Sequence, residues 1–264
     1  MRKIWTLSFL LFSVLLASAQ MKQGKIIYER TSKINVQVSD PAFANMIPPE
    51  RKEKFELHFA DNKTLWRPVE EGQEPEMNFD NGGAQIRLVM PGSNDVMFSD
   101  IPSKRKVEQR ELFTKTFVVE DSIRSYNWKI GQETKAILGH SCRKATSQRT
   151  QQATRVNMDN GVMKREQFTD TVNVVAWFTD AISVFAGPDL YQGQLPGTIL
   201  ELDVNNGRTT YVALSITPDA DVKNIKEPKG KKITPAEFAA EREKMMQEME
   251  KNNGGGNVNI RVGQ

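Results

Sequence analysis

Apolar and polar positions alternate with a period of two over much of the chain, the pattern of strands with one buried face. Residues 54–60 show it most clearly, with Phe55, Leu57 and Phe59 on one side and Glu56 and His58 on the other. His58 is therefore expected in solvent. Residues 25–38 hold two shorter runs, GKIIYER and KINVQV, and Asp61-Asn62 signals a turn into residues 63–67. Further strands are predicted over 84–90, 107–120, 125–130, 134–147, 172–179, 198–204 and 209–217. So many strands leave little room for helical crossovers, which predicts a mainly β fold built as one antiparallel meander.

Polar stretches punctuate the pattern. Residues 68–83, rich in Glu, Pro, Gly and Asn, are expected as an exposed excursion. Residues 148–171 are charged, and Asp159-Asn160-Gly161 is expected to tip a protruding hairpin. Residues 40–47 allow one or two helical turns, stopped by Pro48-Pro49. Thr234-Pro235-Ala236-Glu237 is a helix start, combining a Thr N-cap, Pro at the first position and Glu closing a capping box. The helix should run to about Lys251, with a thin apolar stripe of Phe238, Met245 and Met249. Residues 20–230 are thus read as the β domain, 231–253 as a charged helix and 254–264 as a disordered tail.

One hairpin allows a finer expectation. Leu200, Leu202 and Val204 share one face of their strand, and Val212, Leu214 and Ile216 share one face of the next. Placing both sets on one side requires a three-residue loop, Asn205-Asn206-Gly207. Val204 then pairs with Arg208 and Leu200 with Val212, with Gly207 left-handed at a bulge. A two-residue turn would instead set Leu202 opposite Tyr211.

Residues 1–19 read as a secretory signal peptide. Arg2 and Lys3 supply the positive start, residues 7–16 the apolar middle, and Ala17-Ser18-Ala19 a small-residue cleavage site before Gln20. No later stretch is apolar enough to predict a membrane-spanning helix, so a soluble periplasmic or secreted protein is expected. Removing Arg2 and Lys3 leaves 34 basic residues against 33 acidic ones, a formal charge of +1. That balance argues against a nucleic-acid binder, which concentrates basic charge.

Candidate chemistry is sparse. The only histidines are His58 and His140, and neither a zinc-protease helix motif, a nucleophile elbow nor a phosphate-cradling loop occurs. His140 and Cys142 lie two apart, so they would share a strand face and offer two weak metal ligands or an activated thiol. A lone Cys142 is more simply a buried, inert one. Residues 186–197 hold five Gly or Pro residues and Tyr191. They read as a rigid bend, or as a stiff cavity rim in which Tyr191, Gly193, Leu195, Pro196 and Gly197 touch a ligand.

The segment 177–207, WFTDAISVFAGPDLYQGQLPGTILELDVNNG, with its Gln194-Leu195-Pro196-Gly197-Thr198-Ile199 core, resembles the GLPGLI family. A second block, Trp128-Lys129-Ile130 followed by residues 133–135 and 139–145, resembles it too, with His140 where an aromatic is usual. The resemblance implies an extracytoplasmic Bacteroidetes protein of no established activity, so no catalytic residues carry over. It also implies a curved half-barrel sheet around an apolar hollow. The expectation is a non-enzymatic binder or carrier of an apolar or envelope-derived ligand, with no cofactor. An accessory partner of an outer-membrane assembly or uptake system is the alternative, and a metal-handling protein or hydrolase ranks last.

Overall fold

A computed structural model describes residues 21–34, 48–69, 77–81, 84–88, 93–112, 115–159 and 162–252. The expected signal peptide with its Ala19/Gln20 site, the helical turn at 40–47, the Asn160-Gly161 tip and the tail at 254–264 lie outside the described residues.

The chain is mostly β, with one long, curved, open sheet and one C-terminal helix. The strands are β1 (Gln23–Lys33), β2 (Glu50–Ala60), β3 (Lys63–Pro68), β4 (Met77–Asn81), β5 (Ala84–Leu88), β6 (Val96–Asp100), β7 (Arg105–Leu112) and β8 (Lys115–Ser122). They continue with β9 (Trp128–Ile137), β10 (His140–Asp159), β11 (Val162–Thr179), β12 (Thr198–Val204), β13 (Thr209–Thr217) and β14 (Lys232–Ile233), then α1 (Pro235–Asn252). Twelve strands form the main sheet in the order β14-β8-β7-β6-β3-β2-β1-β13-β12-β11-β10-β9, and β4 pairs with β5 separately. Every pairing is antiparallel except β14 with β8.

The core follows the period-two pattern. Phe55, Leu57 and Phe59 are fully buried, as are Ile26 and Tyr28 across the ladder from them. Trp66 stacks on Phe55 at 4.9 Å and meets Tyr211 edge-on at 6.1 Å. The Tyr28 hydroxyl donates to the Ile199 carbonyl at 2.5 Å. The predicted 159/162 hairpin is present as a ladder running out to Asp159 opposite Val162. At the far end, Thr234 and Glu237 form the expected capping box, and Phe238 packs against Leu112 and Val119.

Five expectations need correction. Residues 107–120 are two strands rather than one, and the 134–147 run is divided by a turn at Leu138-Gly139, where both φ angles are positive. The polar 68–83 stretch includes strand β4. His58 is 4 % exposed, because residues near 221 return over that face and the Asp221 N–H donates to its Nδ1 at 3.2 Å. A hydrogen bond from His58, with help from Arg67, holds the Glu56 carboxyl down to about 2.

The fifth is the β12–β13 register. Leu202 sits opposite Tyr211 and Val204 opposite Thr209. Gly207 is left-handed as expected, at φ 78°, but Asn205 and Asn206 are too, at φ 58° and 56°, and the Arg208 N–H closes on the Asn205 carbonyl. The connection is a left-handed loop over residues 205–208, and its even length gives the register expected of a two-residue turn. Tyr211 and Ala213 therefore face the core, while Val212 and Leu214 stay 38 % and 41 % exposed. Burying one tyrosine ring, with its hydroxyl bonded to Asp189, outweighs burying the smaller aliphatic pair.

Candidate functional site

The concave face changes chemistry along its strands. In β1 the inward series is Ile26, Tyr28, Arg30 and Ser32; in β2, running the opposite way, it is Phe59, Leu57, Phe55 and Glu53. In β10 it is Ala145, Ser147, Arg149 and Gln151, opposite Ala176, Val174 and Val172 of β11. One end of the face is thus apolar and filled. At the other, inward-pointing polar side chains surround a cleft of about 210 Å³ lined by Arg30, Asp95, Glu108, Arg110, Arg149 and Tyr191 among others.

The loop joining β11 to β12 lies across this face. Ile182, Val184, Ala186 and Leu195 are buried in the core, and a 3-10 turn at Asp189–Tyr191 brings Asp189 and Tyr191 to the cleft. The Tyr211 hydroxyl donates to Asp189 Oδ2 at 2.9 Å, and Gln192 accepts from Thr64. Gly197 is needed for close approach, since a Cβ there would lie 2.2 Å from the Thr179 carbonyl oxygen.

Most charges in the cleft wall are paired. Arg30 Nη2 donates to Glu53 Oε2 at 2.6 Å, Ser93 Oγ donates to Glu53 Oε1 at 2.5 Å, and the Arg30 guanidinium lies 4.6 Å over the Phe55 ring. Glu108 accepts from both Lys106 and Arg110. Burial pushes the Asp95 carboxyl up to about 6, against the pull of Arg110.

One wall differs. Among the described residues, Trp128 Nε1, Ser147 Oγ, Arg149 Nε and the Tyr191 hydroxyl are buried without a well-formed hydrogen bond, with the Arg149 guanidinium beside the Tyr191 hydroxyl. They sit together: Trp128 pairs with Ser147 across the β9–β10 ladder, and the Trp128 and Tyr191 rings are 6.4 Å apart. Tyr126 lies 5.8 Å from Tyr191, and the Arg149 guanidinium lies 5.7 Å over the Tyr126 ring. Tyr191 is 3 % exposed, and burial pushes its hydroxyl up to about 12 despite the nearby Arg149. Native interiors rarely leave such groups unmatched, and four of the eight such atoms among the described residues gather on this wall.

Of the five loop residues expected at a ligand, Tyr191 lines the cleft. Leu195 is in the core, Pro196 is exposed, and Gly193 and Gly197 shape the loop. Cys142 is fully buried; burial pushes its thiol up to about 11, opposite to a reactive thiolate. Its Sγ contacts the His140 carbonyl at 3.6 Å. Among the described residues no three His, Cys, Asp or Glu side chains gather to hold a metal ion, and no helix is long and apolar enough to cross a membrane. Sequence reasoning missed Arg30, Asp95, Trp128, Ser147 and Arg149. The available signal was the inward series of β1, where the alternation continues while its residues turn from apolar to charged.

Comparison with known proteins adds a family match and a fold match. Residues 128–201 match the family described as "Protein of unknown function (Porph_ging)", a Bacteroidetes-associated family. No curated protein matches. Two solved structures of PNGF-II are similar: one in a C2 crystal form, with TM-score 0.50 and 15% identity, covers 84% of this chain and 33% of that one. The other, in a P21 form, has TM-score 0.49 and 14% identity and covers 83% and 32%. At that identity the likeness concerns the fold alone, and the chain spans about a third of the PNGF-II chain.

Proposed function

We propose that this is an exported, non-enzymatic binding protein that holds a small polar ligand in the cleft at the charged end of its concave face. The observation carrying this reading is the cleft itself: about 210 Å³ of open space walled by charged and aromatic side chains, beside an otherwise filled core. That volume lies below the ~300–1,000 Å³ usual for drug-sized ligands, which favours a single small molecule or the end of a larger one. The polar lining favours it over the apolar cargo that a half-barrel hollow would suggest. Export rests on the signal-peptide pattern, with cleavage between Ala19 and Gln20 placing the protein in the periplasm or medium of a Bacteroidetes cell. The match over residues 128–201 and the Leu195-Pro196-Gly197 corner support a GLPGLI-like protein within this reading.

The test is mass spectrometry of small molecules released by denaturing protein recovered from the cell envelope. A polar compound that disappears when Thr209, in the cleft wall, is replaced by Trp supports the reading. Lipid, or nothing, in the released fraction sinks it.

A further inference from the structure

We infer that the cleft recognises a small hydroxylated carboxylate, an acidic monosaccharide in size and polarity, and that Arg149 reads its charge; this rests on the binding role proposed above. The acidic side chains around the cleft are engaged or face a cation of their own: Asp95 lies in the field of Arg110 and accepts from the Glu111 N–H at 3.4 Å. Glu53 is held by Arg30 and Ser93, Glu108 by Lys106 and Arg110, and Asp189 accepts from Tyr211. By contrast, among the described residues no carboxylate pairs with Arg149, nor with Lys33 and Arg208 at the exposed mouth. The uncompensated charge in the lining is therefore positive.

The unmatched atoms sharpen the class. Arg149 lines the cleft and its guanidinium can only donate, so a ligand there must bring acceptors. A carboxylate matches the planar guanidinium fork far better than a neutral hydroxyl does, and the Tyr126 ring 5.7 Å beneath that fork fixes its plane. The Tyr191 hydroxyl, also in the lining, donates and accepts alike, which suits a ligand carrying hydroxyls of its own. Tyr126 and Trp128 are half-buried and pack against Tyr191, which lines the cleft. About 210 Å³ admits one monosaccharide ring and excludes a long acyl chain.

The experiment is calorimetric titration of the mature protein with galacturonate, galactose and octanoate, with amide shifts recorded to locate binding. Galacturonate should bind saturably and shift residues 126–128, 147–151 and 189–191. Galactose should bind roughly tenfold more weakly or worse, as should galacturonate to Arg149→Gln, since hydrogen bonds to charged groups carry that much. Arg149→Lys, keeping charge without the fork, should fall between. Equal binding of galactose, or unchanged binding to a folded Arg149→Gln, overturns the carboxylate assignment while leaving the binding role standing. Tighter binding of octanoate, or shifts confined elsewhere, also overturns it. Absence of binding by every probe overturns it too, and removes the binding role only if envelope-derived protein also carries no small molecule.

Discussion

Two polar clusters share the inner face of this sheet and are built on opposite principles. Around Glu53 the charges are paired: Arg30 and Ser93 converge on one carboxylate, Arg51 lies 3.5 Å from it, and Phe55 covers the Arg30 guanidinium. Around Tyr191, a few strands away, four buried polar atoms gather without a well-formed hydrogen bond, the Arg149 guanidinium lying beside the Tyr191 hydroxyl. A satisfied network rigidifies the wall it occupies, whereas an unsatisfied one costs stability at each atom. The first cluster therefore holds the sheet together, and the second gives up stability on the wall that the proposed ligand would touch.

The comparison can be broken at several points. The largest effect is expected for Glu53→Ala, which leaves Arg30 charged and buried; unfolding in urea should show a loss of about 3–5 kcal/mol. A matched pair of tyrosines gives the sharpest contrast. Tyr28→Phe removes a bonded hydroxyl and strands the Ile199 carbonyl, so it should destabilise by about 1–3 kcal/mol. Tyr191→Phe removes an unbonded hydroxyl and should leave stability unchanged or raised by ~1 kcal/mol in the same measurement. A loss for Tyr191→Phe as large as that for Tyr28→Phe would erase the distinction.

A smaller effect should appear with pH. The Asp95 carboxyl is raised from 3.8 to about 6 on folding, so the folded protein binds more protons than the unfolded chain between those values. Ionising it costs stability in full above about 6, and the cost vanishes below 3.8. Asp95→Asn should be more stable than the parent at pH 7, with the gap closing as pH falls through that window; thermal melts across pH 3–8 read it out. The smallest global effect is expected for Thr234→Ala at the other end of the molecule. Losing the cap should cost about 1 kcal/mol, seen as faster amide exchange in α1 and little change in the sheet.

Much of the architecture was readable from local chemistry. The limits of β12 and β13 follow from their apolar runs and the Asn-Gly turn between them, and the start of α1 follows from its capping box. The binding wall was not readable. Arg149 lies in a stretch whose charge suggested a solvated hairpin, and only pairing with β9 and β11 turns it, with Ser147, toward Tyr191. His58 was misplaced for the same reason: its polar neighbours spoke for solvent, and the covering residue, Asp221, is 163 positions away.

By itself the sequence determined that side chains alternate, that turns fall at Asp61-Asn62 and Asn206-Gly207, and that one helix begins after Thr234, because these depend on neighbours a few residues apart. Tertiary structure decided which face of β13 turns inward and which polar groups find partners. Val212 and Tyr211 compete for the same interior, and the outcome depends on the space beside Trp66 and on the reach of Asp189, which no local pattern encodes.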